Sequence, residues 1–301
     1  MTHPGRAVAE SIGRVGIWTS ALDRVPSADA RKAARRIDEM GAGALWIAET
    51  AMSQDIFAHM ALLLAWTDRI PIASGIANIW ARDAVAMQNG ARALADAFPG
   101  RVILGLGISH APVVKRRTGG TWDKPVERMR DYLDAMDGAR YVGVEPARPA
   151  ARVLAALGPL MLRLAAERTA GAHPYFVPVE HTARARKTLG EGPLLAVEQA
   201  VAFEEDAGRA RELARSHMAG YLRLDNYANN LRRLGWSDEE ISGPSDRLVD
   251  AIVAWGPIER IVDRIVTHLR NGADHVCIQP LSGDPQKIPL ENTAELVTAC
   301  G

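Results

Sequence analysis

Short apolar runs alternate with amphipathic stretches along almost the whole chain. The first run, residues 14–19 (RVGIWT), reads as a buried strand, after which Ala30, Ala33, Ala34 and Ile37 recur at helical spacing until Gly41. Ser27 stands where a helix N-cap belongs. The unit then repeats. Residues 44–48 (ALWIA) end on Glu49 before a helical pattern over 56–66, and residues 70–76 (IPIASGI) lead through Ala77, Asn78, Ile79 and Trp80 to a helix over 83–97. Pro99 closes that helix, because the residue before a proline avoids the helical region.

The fourth run, 102–106, stops at Gly107, and Ile108, Ser109 and His110 lead into a polar loop carrying Lys115, Arg116 and Arg117. A helical pattern resumes over 123–137. Residues 152–157 predict a fifth strand that opens at Gly158 onto a helix over 160–169, with Pro159 suited to its first turn. Runs at 172–179 and 193–203 give strands six and seven, with a helix over 181–189 between them. From 204 to 272 no strand signal appears. Helices are written there instead, with a capping box at Ser237 and Glu240. Residues 275–279 (HVCIQ) complete an eighth strand and 290–299 a last helix, while the first dozen residues read as mobile.

Eight buried strands separated by helices predict an α/β protein, a single (β/α)8 TIM barrel over residues 1–301, with a helical insertion at about 204–256 after strand seven. An open doubly wound sheet is the alternative. Against it, no GxGxxG opens a helix after the first strand, and no GxxxxGK[ST] phosphate loop occurs.

Composition narrows the function classes. The chain has 301 residues, is 48% hydrophobic and 24% charged, and carries a formal net charge of zero, so no electrostatic footprint for nucleic acid or an anionic membrane is present. The N-terminal segment has no apolar core of signal-peptide length, and the run at 60–66 is far short of the ~20 residues of a membrane helix, which predicts a cytoplasmic protein. Cys277 and Cys300 match neither a disulfide framework nor a zinc site and read as reduced. The histidines form no HExxH or HxxxH pair, and Asp55 with His59 reads as an i, i+4 contact on a helix, so no metal is expected.

In a barrel the C-terminal strand ends form the active face. There stand Trp18, Thr19, Glu49, Gly75 to Trp80, Gly107 to His110, Gly158, Tyr175 to Pro178, Glu198 and Gln279. The set is aromatic with few ionisable groups. It lacks the crowded carboxylates of a glycosidase, a serine on a GxSxG turn and a strand-end lysine for Schiff-base chemistry. Such a mouth suits a large flat cofactor that carries the reaction itself. His110, with an ordinary pKa near 6.5, can give and accept a proton at neutral pH, and Gly105 and Gly107 leave room beside it. The alternative is an ordinary loop histidine. Trp18, Trp80 and Trp122 are either walls of a substrate pocket or core, and the three basic residues after His110 either meet a phosphate or stay solvated.

At this point the sequence resembles a known family. GAGALWIAE at strand two, IASGIANIWARDAVAMQNGARALADAFPGRVILGLGISH across strands three and four, RVLAALGPLMLRLAAERTAGAHPY at five and six and GADHVCIQPL at eight resemble the luciferase-like monooxygenases, in particular the actinobacterial class that uses coenzyme F420. Only five of the 36 basic residues are lysine, as in GC-rich actinobacterial proteins.

The resemblance implies an F420-dependent oxidoreductase transferring a hydride between the deazaflavin and a small organic substrate. Glu49 then lies near the deazaflavin, and His110 is the proton donor or acceptor. Gly75 and Ile76 form a bulge with a non-proline cis peptide behind the cofactor ring, next to Asn78. Backbone around Gly107, Ile108 and Ser109, Gly158, and Tyr175, Phe176, Val177 and Pro178 follows the cofactor's side chain and phosphate. No lysine lies in 175–181, which leaves the phosphate to backbone N–H groups and Arg184. A homodimer built on helices two and three is also implied. An FMN-dependent monooxygenase is the runner-up, and a non-catalytic barrel the third reading.

Overall fold

The computed structural model describes residues 3–50 and 52–301. The first element is α1 (Pro4–Ile12), where mobile chain was expected. Pro4 takes the opening helical position, and the Gly5 N–H donates to His3 Nδ1 at 3.0 Å. Ile12 and Gly5 are buried, with Gly5 lying directly on the Ala170 carbonyl and the Leu194 amide. The helix therefore plugs the end of the barrel where the strands begin.

Ten parallel strands follow: β1 (Val15–Trp18), β2 (Leu45–Ile47), β3 (Ile72–Ser74), β4 (Ala77–Asn78), β5 (Val102–Gly107), β6 (Ala151–Leu154), β7 (Gly171–Ala172), β8 (Leu194–Ala202), β9 (Val253–Trp255) and β10 (His275–Pro280). Their order is β10-β1-β2-β3-β5-β6-β7-β8, and pairing of β8 with β10 closes the ring, so the fold is an eight-stranded (β/α)8 barrel. β4 continues the path of β3 along β5, and β9 adds to the last residues of β8. Between the strands run α2 (Ser27–Glu39), α3 (Ile56–Trp66), α4 (Ala84–Ala97), α5 (Ala111–Thr118), α6 (Pro125–Asp137), α7 (Pro159–Arg168) and α8 (Val179–Leu189). Four helices lie between β8 and β9, namely α9 (Ala207–Tyr221), α10 (Asp225–Leu234), α11 (Asp238–Ser242) and α12 (Asp246–Ile252), and α13 (Ile258–Arg270) and α14 (Leu290–Cys300) flank β10.

The strand period of two separates two cores. Leu45, Ile47, Ile72, Leu104, Val197, Val276 and Ile278 face the helices, whereas Trp46, Ala73, Ile103, Val153, Ala196 and Cys277 fill the barrel with Ile12 beneath them. A third core joins the helices after β8 to its upper end through Met218, Tyr227, Leu231 and Trp255.

Several expectations need correction. Val253–Trp255 is a strand inside the stretch read as purely helical, because its apolar triplet continues the helical spacing of Leu248, Val249 and Ile252 and only pairing with β8 decides its form. The sixth run forms a strand over Gly171–Ala172 alone. Beyond it Pro174 and Pro178 lack N–H groups, and Phe176 turns to φ +59° and gives its N–H to the Glu198 carboxylate at 2.9 Å. The polar loop after His110 begins as α5, closed by Gly119 in the left-handed region. Asp55 and His59 are not partners on α3. Asp55 caps the helix, accepting from the Phe57 and Ala58 amides, and His59 faces Asp23 at 3.9 Å. Both cysteines are free thiols, and among the described residues no helix is long and apolar enough to cross a membrane.

Candidate active site at the barrel mouth

One wall of the mouth is the break between β3 and β4. The Gly75–Ile76 peptide is cis, at the position the resemblance assigns to such a bond. The backbone groups around it are tied down. Gly75 N donates to Ile47 O at 2.6 Å, Trp18 Nε1 to Gly75 O at 3.1 Å, Glu49 N to Ile76 O at 3.0 Å, and Ser74 Oγ to Gly105 O at 2.8 Å. The glycines of β5 serve this packing. A Cβ on Gly105 would strike the Ser74 carbonyl, and one on Gly107 would strike Ile76, so the clearance they provide is for the bulge itself. Trp18 is buried behind the bulge with its ring 5.1 Å from Tyr175.

The Glu49 side chain, 6% exposed, is held by an ion pair with Arg82, which also reaches Asp55 at 2.9 Å. Its Oε2 accepts from Asn78 N at 2.8 Å and Arg82 Nη1 at 3.0 Å. The sequence reading singled out Glu49 and Asn78 but missed Arg82, whose place four residues past Asn78 was the available signal.

At the exit of β5, Ile108 O accepts from both Trp80 Nε1 (2.9 Å) and Trp122 Nε1 (3.2 Å), and Ser109 turns to φ +62°. His110 follows as the N-cap of α5, and its Nδ1 lies 2.8 Å from Asn226 Oδ1 on α10. Burial pushes its pKa below the ordinary value, and the Asn226 bond partly restores it. Nε2 makes no hydrogen bond among the described residues.

The opposite wall is aromatic. Tyr175, Phe176, Tyr221 and Tyr227 pack with ring centroids 5.1–6.2 Å apart, and Tyr227 lies 5.4 Å from His110. Tyr175 Oη is hydrogen-bonded to Tyr221 Oη and Gln279 Oε1, each at 2.8 Å. Glu198 lies behind these rings, 2% exposed, with Oε2 on the Phe176 amide and Oε1 unpartnered among the described residues. Burial pushes its pKa up to about 8, against the pull of the Phe176 N–H. Tyr221 and Tyr227 come from a segment more than a hundred residues past His110, and no local pattern marks them.

Gly158 caps α7 at the rim. A Cβ there would meet, beyond its chain neighbours, only the Arg233 guanidinium at 3.9 Å. Arg233 reaches Asn230 Oδ1 at 3.3 Å, while the buried Asn230 Nδ2 has no partner among the described residues. Arg184 donates to Arg233 O at 2.6 Å, and His181 holds Leu157 O at 2.9 Å. Val177 is buried, and Pro178 caps α8. Gly158 and Arg184 are thus brought to one place, together with Arg233, which the sequence reading missed.

Over 225 residues the chain is 26% identical to the 5,10-methylenetetrahydromethanopterin reductase of Methanolobus tindarius, spanning 65% of this chain and 69% of that one. Its fold superposes with a TM-score of 0.78 on an F420-dependent secondary alcohol dehydrogenase in complex with an F420-acetone adduct, at 16% identity, covering 96% of this chain and 99% of that chain. It also superposes, with a TM-score of 0.66 and 16% identity, on the FMN-bound oxygenating constituent of the 3,6-diketocamphane monooxygenase of Pseudomonas putida, covering 96% and 98% of the two chains. At this identity the structural likenesses speak for the fold. The luciferase-like monooxygenase profile matches residues 12–275, and the chain belongs to that family.

Proposed function

We propose that this protein is an oxidoreductase using coenzyme F420, in which His110 moves the proton that accompanies the redox change of a small organic substrate. The observation that carries the reading is His110 itself: an imidazole at the exit of β5, one nitrogen anchored on Asn226 and the other without a partner among the described residues. The residues at the rim fit a phosphate-bearing cofactor. Gly158 leaves its cradle open, the first turn of α7 offers amides beyond Pro159, Arg233 supplies the positive charge that no lysine provides, and the unpartnered Asn230 Nδ2 is a further donor. When bound, the deazaflavin supplies a ring carbon that takes up or gives a hydride. The chain's own part is to hold and shield. The Gly75–Ile76 bulge backs the ring, Trp80 and Trp122 fix the Ile108 carbonyl, and the aromatic wall excludes water.

His110 takes its proton at Nε2, which the uncharged ring favoured by burial leaves free to accept, and gives it back from the imidazolium so formed. Fluorescence titration of the purified protein with F420 should show binding at micromolar concentration or below. His110→Ala should lower turnover by about 100-fold with little change in cofactor affinity, and unchanged turnover would remove His110 from the chemistry.

The FMN-bound relative favours a second reading, an FMN-dependent monooxygenase that activates oxygen. Tight FMN binding with no F420 binding would select it. We also propose a homodimer. Helix α3 is apolar nearly all round, and Leu62 on α3 and Val85 on α4 are exposed. Light scattering should report two chains, and Leu62→Asp should shift the protein toward one.

A further inference from the structure

We infer that Asn226 is a positioning residue for His110: it selects the imidazole tautomer, fixing the proton on Nδ1 and leaving the lone pair on Nε2. The inference rests on the reading of His110 given above for its functional meaning, but not for its geometry. An amide oxygen only accepts, so the 2.8 Å contact between Asn226 Oδ1 and His110 Nδ1 requires the proton to sit on Nδ1. A neutral imidazole then has its acceptor at Nε2, the nitrogen without a partner among the described residues.

The placement of Asn226 is not incidental to the fold. It occupies the first turn of α10, beside Tyr227, which is 8% exposed and packs against Phe176, Tyr175 and Tyr221 at 5.3, 6.2 and 5.5 Å. The same turn holds the His110 ring from two directions, by its edge through Asn226 and by its side through Tyr227 at 5.4 Å. A segment 116 residues downstream therefore decides which nitrogen of a strand-exit histidine is basic.

The surroundings leave that decision to Asn226. From α10 the titratable group against the ring is Tyr227, whose burial raises its pKa well above the ordinary value and keeps it neutral. The residues on either side of His110, Ser109 and Ala111, do not titrate. No carboxylate or cation hydrogen-bonds to the imidazole among the described residues. Replacing the neutral amide by a carboxylate would keep the geometry and add a charge that favours the imidazolium.

The test is 15N-histidine NMR of the full-length, cofactor-free protein, with the His110 signals identified by their loss in His110→Ala. The wild-type ring should titrate below pH 6.5 as the Nδ1–H tautomer. Asn226→Ala should move the neutral ring toward Nε2–H, and Asn226→Asp should raise its pKa by about one unit or more while retaining Nδ1–H. A wild-type ring found as Nε2–H, as an amide turned the other way would produce, overturns the inference. So does a tautomer unchanged in Asn226→Ala.

Kinetics separate this inference from the functional reading. With F420 and a turned-over substrate, Asn226→Ala should lower kcat by about tenfold or more at unchanged cofactor affinity. Asn226→Asp should carry the acid limb of the pH profile upward with the histidine's pKa. A tautomer that follows Asn226 while turnover and its pH profile stay fixed supports the positioning and overturns the catalytic reading of His110.

Discussion

On the β2–β5 side of the mouth, Glu49, Arg82 and Asp55 are paired, Gly105 lets backbone lie against backbone, and Gly75 and Gly107 let the side chains of Trp18 and Ile76 approach. On the β7–β8 side, four aromatic rings lie over Glu198, whose Oε1 has no partner among the described residues, and Asn226 reaches across to His110. On the first side these charges are paired and the bulge's backbone groups bonded, so a change at Gly105 meets backbone that cannot move. The second holds polar groups short of partners, which is costly for stability and useful for binding. Stability should therefore be concentrated in one side and adaptability in the other.

The sharpest break of this contrast is Gly105→Ala. Its Cβ would strike the Ser74 carbonyl, whose strand is paired with β5 on one side and β2 on the other, so no side chain can swing away. Little folded protein is expected by circular dichroism. Gly107→Ala meets instead the side chain of Ile76 and should cost about 1–3 kcal/mol, largely recovered in the double variant with Ile76→Ala. Equal urea midpoints for wild type and Gly105→Ala would show that the bulge is soft.

Next in size is Arg82→Ala. It strands the buried Glu49 carboxylate and should lower stability by about 3–5 kcal/mol in urea denaturation. Glu49→Gln in the same background should recover part of the loss, since a neutral amide needs no counter-charge. Independent, additive losses would mean that the pair is not one unit.

The first side was also the one legible in the sequence. Short apolar runs separated by helical spacing announced the eight-stranded barrel, and Glu49, Asn78 and His110 were found because each stands at or just past a strand end. Arg82 escaped because ion pairing is written in space, although here the partner lies near in sequence. The second side was mostly hidden. Tyr221, Asn226, Tyr227 and Arg233 reach the mouth through docking of helices far along the chain, and β9 was masked by its helical period. The helix α1 was missed because nothing in its nine residues says what it covers.

On the second side, Glu198 makes stability depend on pH. Its folded pKa, about 8, lies above the ordinary value of 4.5, so the folded state binds the proton more tightly than the unfolded one. Stability is then fully present below pH 4.5 and falls as pH rises toward 8, by at most about 1.4 kcal/mol per pH unit. Glu198→Gln removes this titration. The variant should gain on the wild type progressively between pH 5 and 8 in thermal melts, and a constant difference across that range would place the carboxylate's charge elsewhere.

The smallest effects distinguish hydroxyls within the aromatic wall. Tyr175→Phe removes the group that meets both Gln279 Oε1 and Tyr221 Oη at 2.8 Å, leaving two part-buried polar atoms short of a partner, and should cost about 1–2 kcal/mol. Tyr227→Phe keeps the ring that packs on His110 and Phe176 and gives up a hydroxyl with no hydrogen bond among the described residues, so its cost should stay within about 0.5 kcal/mol. If urea denaturation finds the two substitutions equal, the rings alone hold this wall. The ordering expected here means that Tyr175 ties the wall to the barrel through Gln279 on β10, while Tyr227 acts by shape, free to be trimmed without loosening the helix that carries Asn226.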